Sequence, residues 1–265
     1  NQKQILVSST GIIGEQIGSS KIINVLKKLP HKSQSLLDAA KAIMTTDTYP
    51  KVVLKKIKYK SKTIKIYGFA KGSGMIAPNM GTMLAYVFIE ANLKTKELKY
   101  LLNKNVESTF NSITVDGDTS TSDTVMIFSI NNNQKFNLTK ELYDKLSIGV
   151  NEIMGQLAKK IVCDGEGISK LIEIKVLKAL NLKQAKEISF SIANSILVKT
   201  AIAGEDANWG RIVMAIGKAS KVINQNKITI KFGKYILAKN GSVNSKIEYN
   251  KIKSYMKNKL IQITV

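Results

Sequence analysis

The stretch Ala70–Leu93, AKGSGMIAPNMGTMLAYVFIEANL, runs from a glycine-rich turn into an apolar segment that begins at Met83. The apolar segment predicts a buried β-strand, and the proline and asparagine before it are typical of a loop. Thr82 lies at the joint, directly after the flexible Gly81. A hydroxyl at such a junction is well placed to act as a nucleophile.

Thr82 can be a nucleophile without an imidazole base if the chain is cut before it. The single histidine, His31, lies in a polar loop, so a Ser–His–Asp triad is not expected. A free α-amine on Thr82 has a pKa of about 7.7–8.0 and can accept the hydroxyl proton at neutral pH. The Thr82 hydroxyl would first attack the Gly81 carbonyl, and water would hydrolyse the ester. We therefore expect an α piece, residues 1–81, and a β piece, residues 82–265.

The composition is that of a globular protein. The chain has 265 residues, 44% of them hydrophobic, which suits one large domain or two modest ones. No uninterrupted apolar stretch is long enough to span a bilayer, so no membrane partner is expected. The lone Cys163 excludes an internal disulfide and favours a cytoplasmic location, and we expect a buried thiol. Both ends fall in strand-like segments, which suggests a longer protein.

The formal net charge of +22 raises the alternative of a basic nucleic-acid-binding protein. That alternative predicts salt-sensitive binding to DNA or RNA and an uncut chain. However, the charge is spread along the chain, is almost entirely lysine, and comes with only 6% aromatic residues. Base recognition depends on arginine and stacking on aromatic rings, so no nucleic-acid partner is expected. Arg211, the one arginine, is expected to make a planar bidentate contact.

Periodicity predicts alternating strands and helices and therefore an α/β fold of layers with mixed sheets. A boundary near residue 170 gives domains 1–170 and 171–265, and no helix or strand is predicted in the polar stretch that follows the Met83 strand. The predicted strands are 5–8, 52–57, 63–69, the run from Met83, 124–130, 170–176, 198–201, 227–232, 234–239 and 260–265. The predicted helices are 35–45, a long one capped by Thr139, then 182–197, 208–218 and 247–259.

Six segments in order resemble the bifunctional ornithine acetyltransferase/glutamate N-acetyltransferase family of arginine biosynthesis. They are SSTGIIGE (8–15), AIMTTDTYPK (42–51), AKGSGMIAPNMGTMLAYV (70–87), TVDGDTSTSDTV (114–125), VCDGEGISK (162–170) and KTAIAGEDANWGRI (199–212). The resemblance implies a self-cleaving N-terminal-threonine scaffold, an αββα-type sandwich with a second, smaller α/β domain. It also implies that Thr82 is the nucleophile, with cleavage between Gly81 and Thr82, and that Thr10 and Gly11 form the oxyanion hole.

Three further positions match the family's substrate contacts. Lys71 matches a lysine that binds a substrate carboxylate, and Glu166 matches a carboxylate suited to an ornithine ammonium. Thr45 matches a substrate-contacting hydroxyl, although Thr46 beside it is an alternative. A cation shortly before the nucleophile is physically suited to holding a carboxylate.

The implied reaction moves an acetyl group from N-acetylornithine to glutamate through an acetyl-enzyme, without metal or organic cofactor. Whether acetyl-CoA is also a donor stays open, as does a hydrolase or aminopeptidase on the same scaffold. The two pieces would assemble as a heterotetramer of two α and two β. Asp116, Asp118 and Asp123 fit no complete calcium or magnesium pattern, so their loop is predicted to be structural.

The chain departs from the family pattern in a few places. Gly81 replaces the usual alanine and Ala207 the usual proline, and both look tolerable. Ile17-Gly18 replaces a usual Leu-Pro after the oxyanion turn, which weakens the prediction for that loop. The family's N-terminal segment and its C-terminal tail, with a substrate-binding Asn and Thr, are absent from this sequence.

Overall fold

The computed structural model describes residues 5–12, 14–16, 18–28, 35–77, 83–120, 122–131, 138–219 and 222–265. The chain divides into two compact units, Asn1–Glu166 and Gly167–Val265. This division falls slightly before the predicted boundary at residue 170 and leaves Glu166 in the first unit. Among the described residues, no helix combines the length and the apolar character that crossing a membrane requires.

The first unit is built on a four-stranded mixed sheet in the order β1-β2-β3-β4. β2 pairs antiparallel with both β1 and β3, whereas β4 runs parallel to β3. A parallel partner requires a crossover, which a helix, α3, provides. The elements are β1 Lys51–Tyr59, β2 Lys62–Lys71, β3 Leu84–Ile89, α3 Thr95–Val106 and β4 Thr124–Ser129. The strands confirm the predictions at 52–57, 63–69 and 124–130 and the strand in the run from Met83.

Helix α4 (Lys140–Val162) covers one face of this sheet and forms the core with it. Thr139 caps the helix by accepting the N–H of Leu142 at 3.3 Å, as predicted. One apolar stripe faces the sheet, and all of its members are fully buried: Leu142, Leu146, Val150, Ile153, Leu157 and Ile161. The strands contribute the alternate residues of their pleat, such as Ile64, Ile66 and Val87.

The opposite face of the sheet carries stacked aromatic rings. Tyr67 and Phe88 lie 5.5 Å apart between centroids, and Phe69 and Tyr86 lie 4.9 Å apart. These are cross-strand neighbours on one side of the pleat, where aromatic pairs stabilise a sheet. The Ser8 hydroxyl shares a hydrogen bond with the Tyr86 hydroxyl, so the segment around Ser8 lies on this face.

The second unit contains a five-stranded sheet in the order β5-β9-β6-β7-β8, with β5 and β9 parallel and the other pairs antiparallel. Its own apolar core packs helices against this sheet. The elements are β5 Leu171–Lys175, α5 Leu182–Ala193, α6 Ile196–Ala203, α7 Trp209–Ala219, β6 Ile230–Phe232, β7 Tyr235–Lys239, β8 Ser242–Val243, α8 Tyr249–Met256 and β9 Leu260–Thr264. Two units with mixed sheets confirm the α/β class.

The helices differ from the sequence prediction in several places. The polar stretch after β3, for which no element was predicted, contains helix α3, and the predicted strand 198–201 lies inside helix α6. Ser195 begins α6 by accepting the Val198 N–H at 3.3 Å, which divides the predicted helix 182–197 into α5 and α6. A short helix, α1 (Ser19–Leu26), was not predicted, whereas α2 (Leu36–Ala42) confirms the helix expected at 35–45.

Two further expectations were wrong. Residues 5–8 are not a strand. Cys163, expected to be buried, is exposed because it follows the last turn of α4 and no longer belongs to the buried stripe. Cys163 is the C-cap of the helix, where the helical periodicity of the sequence no longer indicates burial.

Candidate active site

The site is organised by the turn that follows β2. Its backbone requires unusual conformations, since Gly72 has φ of 152° and Met75 has φ of 54°. A non-glycine residue in the left-handed region is uncommon and needs support from its surroundings. Asp116 supplies that support by accepting the N–H groups of Met75 at 2.6 Å and Ile76 at 3.1 Å. The Asp116 loop is therefore structural, as predicted, and it fixes the chain just before residues 78–82.

Lys71, the last residue of β2, is buried rather than being one more surface lysine. Its side chain is part of the site, because the residue is 2% exposed and Nζ donates to Thr45 Oγ1 at 2.7 Å. Burial lowers the pKa of Lys71, which the negative charge of Asp47 opposes and the positive charge of Lys51 reinforces. Of the two candidate threonines, Thr45 is the one that contacts this ammonium.

A second lysine, Lys51, forms a buried ion cluster next to Lys71. Lys51 Nζ lies 2.6 Å from a carboxylate oxygen of Asp47 and 2.6 Å from one of Asp164, and all three side chains are almost completely buried. Burial alone would raise the pKa of each aspartate. The ammonium of Lys51 and backbone or hydroxyl donors outweigh it, so both pKa values lie below the ordinary range.

Glu166 lies against the same turn. It follows the end of α4, and its N–H donates to the Ser73 carbonyl at 3.3 Å. A methyl group on Gly74 would come within 2.8 Å of the Glu166 carboxylate, so this glycine permits the close approach. The side chain itself is exposed and can meet a ligand. The structure thus brings Thr45, Lys71 and Glu166 to one turn.

Asp123 is a buried carboxylate at the start of β4. It accepts the Met83 N–H at 2.6 Å, so it holds the residue directly after Thr82. Burial raises the pKa of Asp123 to about 6, although the Met83 N–H and the charge of Lys71 partly oppose this. It also lines a cavity of about 330 Å³ among mainly apolar side chains, including Ile76, Met83, Leu102, Val106 and Phe110.

The other predicted site residues fall into two groups, those outside the described residues and those without a described bond to this turn. Thr82 and Gly81, the predicted nucleophile and cleavage site, lie outside the described residues, as does His31. Thr10 is half-buried and Gly11 is exposed. In the described part of the chain, no hydrogen bond connects either of them to Thr45, Lys71 or Glu166. Their role in an oxyanion hole therefore stays a prediction.

Arg211 makes a different contact from the one predicted. Its Nη1 donates to the Leu197 carbonyl at 2.7 Å and to Thr200 Oγ1 at 2.9 Å, which ties α7 to α6. One nitrogen makes both bonds, so the expected planar two-nitrogen contact was wrong. The Leu197 carbonyl lies within α6, and the bond belongs to the packing of the second unit.

Sequence reasoning missed the supporting residues Asp47, Lys51 and Asp164. Each lies inside one of the motifs AIMTTDTYPK and VCDGEGISK, and membership of these motifs is the sequence feature that could have identified them. The spacing of those motifs does not indicate contact, because Lys51 and Asp164 are separated by 113 positions. Within the described residues, no three His, Cys, Asp or Glu side chains gather in a way that could hold a metal ion.

Comparison with known proteins identifies one family. The ArgJ family model matches residues 1–265. The arginine biosynthesis bifunctional protein ArgJ of Bartonella henselae is 46% identical over 269 aligned residues, which cover 100% of this chain and 66% of that protein. The protein of the same name from Bradyrhizobium diazoefficiens is 42% identical, with the same coverage of both chains. The chain thus spans 66% of the length of these curated relatives.

A solved structure agrees with this result. The crystal structure of arginine biosynthesis bifunctional protein ArgJ from Bacillus halodurans superposes with a TM-score of 0.65 at 36% sequence identity. The match covers 69% of this chain and 87% of the chain in that structure.

Proposed function

Because this chain belongs to the ArgJ family, we propose that it is an acetyltransferase that moves the acetyl group of N2-acetyl-L-ornithine to L-glutamate in arginine biosynthesis. The observation that supports this most is the buried ammonium of Lys71, which Thr45 holds at 2.7 Å at the end of β2. A buried cation beside an exposed carboxylate, Glu166, suits a ligand that carries both a carboxylate and an amine.

Substrate recognition follows from this pair of charges. Lys71 binds the α-carboxylate, because a desolvated ammonium interacts more strongly with an anion than a hydrated one does. Glu166 binds the side-chain ammonium of ornithine. N-acetylornithine and glutamate share the α-amino-acid framework, so Lys71 serves both half-reactions in one pocket.

Thr82 carries the chemistry in this proposal. Its α-amine accepts the hydroxyl proton while Oγ attacks the acetyl carbonyl carbon. The Thr10 hydroxyl and the Gly11 N–H hold the resulting oxyanion. The carbon–nitrogen bond then breaks, ornithine leaves with the proton, and the acetyl group remains as an ester on Thr82. The amine of glutamate attacks that ester and restores the Thr82 hydroxyl.

The same proposal covers processing and assembly. Cleavage between Gly81 and Thr82 produces the α and β pieces, which pair as a heterotetramer of two α and two β in the cytoplasm. The scaffold is the αββα sandwich of self-cleaving enzymes, and the aromatic face of the first sheet is suited to packing against a second layer. The reaction uses no metal or organic cofactor, and acetyl-CoA is an additional donor to test.

Intact-mass analysis of the purified protein and of Thr82→Ala tests the proposal. We expect two fragments that split before Thr82 in the wild type and one uncut chain in the variant, because the attacking oxygen is gone. Thr82→Ser retains a hydroxyl and is expected to cleave. Incubation with N-acetylornithine alone should add one acetyl group to the fragment that begins at Thr82.

The same samples separate the alternatives. Formation of N-acetylglutamate at the expense of N-acetylornithine supports the transferase. Release of free acetate that does not depend on glutamate would instead indicate the hydrolase. An uncut wild-type chain that transfers acetyl groups at full rate would overturn the mechanism, and an uncut, inactive chain that binds DNA in low salt would support the nucleic-acid alternative.

A further inference from the structure

Lys51 occupies an unusual position for a lysine. Its side chain is fully buried, and its ammonium is held between Asp47 and Asp164 at 2.6 Å each. A buried charge is tolerated only when it is paired and hydrogen-bonded, so these three groups depend on one another. No step of the proposed reaction uses any of them directly, which leaves their role to be explained.

The two carboxylates connect this cluster to the residues that bind substrate. Asp47 Oδ1 also accepts the N–H of Gly72 at 2.7 Å, directly after Lys71. Asp47 Oδ2 accepts the N–H of Thr45 at 3.2 Å. One side chain therefore holds the backbone on both sides of the bond between Thr45 Oγ1 and Lys71 Nζ.

Asp164 anchors the third segment. Its Oδ2 accepts the Thr48 N–H at 2.9 Å, and the Thr48 hydroxyl donates to Oδ1. Its backbone carbonyl accepts the Ser73 hydroxyl at 2.6 Å. Glu166 follows two positions later, so the cluster fixes the segments that carry all three predicted substrate contacts.

The charges of this cluster and of Lys71 cancel one another. Lys51 contributes one positive charge and the two aspartates contribute two negative ones, so the cluster carries one net negative charge. The ammonium of Lys71 compensates it. Burial lowers the pKa of Lys71, Asp47 raises it, Lys51 lowers it, and Asp123 and Glu166 raise it. Asp47 is thus the strongest of the groups that favour the charged form of Lys71.

We propose that Asp47 is the positioning residue of the carboxylate-binding site: its two backbone hydrogen bonds align Thr45 with Lys71, and its negative charge stabilises the Lys71 ammonium. The inference rests on the proposed function of Lys71 as the group that binds substrate carboxylate. It assigns Asp47 an effect on binding rather than on the chemical step, because its hydrogen bonds to described residues go to the ammonium of Lys51 and to the N–H groups of Thr45 and Gly72.

Steady-state kinetics of Asp47→Asn from neutral to alkaline pH provide the first test. Asparagine has nearly the same shape but no charge, and it keeps only one of the two oxygens that accept the N–H groups of Thr45 and Gly72. We expect KM for N-acetylornithine to rise about tenfold, as for loss of a charge-assisted contact, with a smaller change in kcat. The alkaline limb of kcat/KM should move down by about one pH unit, because Lys71 loses its proton earlier. A merely structural role would lower activity equally at every pH.

A threonine variant provides a matched control. Thr45→Ala removes the direct contact with Lys71 and should raise KM without moving the alkaline limb. An Asp47→Asn enzyme with the alkaline limb of the wild type would overturn the proposal, even if its KM had risen.

A direct measurement separates this inference from the proposed function. The protonation of Lys71 can be followed by NMR of its side-chain ¹⁵Nζ in the wild type and in Asp47→Asn, without any turnover. A downward shift of about one pH unit in the variant supports the inference even if the protein transfers no acetyl group. An unchanged titration in a folded variant would refute it. Should Asp47→Asn fail to fold, the titration of Lys71 is compared between Lys51→Met and Lys51→Met/Asp47→Asn, so that both proteins lack the Lys51 charge and differ only at Asp47.

Discussion

At the scale of single residues, Asp123 is a carboxylate whose pKa is strongly raised by burial. It lies at the start of β4, is buried, and offers its carboxylate to the Met83 N–H. Burial raises its pKa from 3.8 to about 6, and the Met83 N–H and Lys71 compensate only in part. An ionised Asp123 near neutral pH therefore costs folding free energy. A carboxylate is nevertheless suited to this position, because it accepts the backbone N–H of Met83, the residue that follows Thr82.

This leads to a prediction about stability and pH. Between the unfolded-state pKa, near 3.8, and the folded value of about 6, the folded protein binds a proton that the unfolded chain does not. The contribution of Asp123 to the free energy of unfolding therefore falls as pH rises through this window and is constant above it. Asp123→Asn should remove that slope, a difference on the order of 1–3 kcal/mol across the window.

Urea denaturation at a series of pH values measures this effect. Asp118→Asn, an exposed aspartate in the same loop, is the matched control and should have the pH dependence of the wild type. An Asp123→Asn curve parallel to that of the wild type would contradict the prediction. Asp47 and Asp164, whose pKa values are lowered, act at more acidic pH and affect all three proteins equally.

At the scale of elements, the close approach of α4 to the sheet depends on glycine. A methyl group on Gly149 would lie 2.5 Å from Ile57 Cδ1 and 2.9 Å from Ile66 Cδ1. Those distances are too short for real contacts, so the two isoleucines would have to move within a packed core. Gly155 lies further along α4. A methyl group there would make only an ordinary contact of 3.8 Å with Thr109 Cγ2.

These two glycines form a matched pair. We expect Gly149→Ala to lower the free energy of unfolding by about 1–3 kcal/mol, because overpacking outweighs the better helix propensity of alanine. Gly155→Ala should be neutral or stabilise by up to about 1 kcal/mol, since only propensity changes. Chemical denaturation of both variants decides between these outcomes. Equal effects at the two positions would show that the helix–sheet distance is not set by Gly149.

The two elements that the sequence prediction misjudged have different local causes. Helix α3 lies in a lysine- and asparagine-rich stretch, where the apolar signal is weak. Its partly buried residues, Leu98, Leu102 and Val106, nevertheless recur at helical spacing, and that signal could have identified it. Helix α6 was mistaken for a strand because its centre is rich in β-branched residues. The cap provided by Ser195 overrode that preference.

At the scale of the whole molecule, the chain has two hydrophobic cores, each built from residues of one unit. In the described residues, the first core centres on α4 and β1–β3, and the second on α5–α8 with β5, β6, β7 and β9. All the described candidate site residues belong to the first unit. The formal charge of +22 is distributed over both units and is not concentrated at the site.

Two matched core substitutions test whether these cores are energetically separate. Ile153 in the first core and Ile216 in the second are both almost completely buried. Truncation of either to alanine should cost about 2–5 kcal/mol. Hydrogen exchange followed by mass spectrometry should show loss of protection mainly in the unit that carries the substitution. Equal loss in both units for both variants would mean that they unfold as one cooperative body.

The sequence by itself determined the parts of this protein that depend on neighbours along the chain. The β1–β2 strands, the α4 stripe and the Thr139 cap follow from local periodicity, and the six ordered segments were sufficient to identify the family. Only the tertiary structure decided that Lys71 is buried against Thr45 and that Lys51 joins Asp47 to Asp164. Those contacts connect positions up to 113 residues apart. Local patterns carry no record of them, because burial and charge pairing arise only when distant segments pack together.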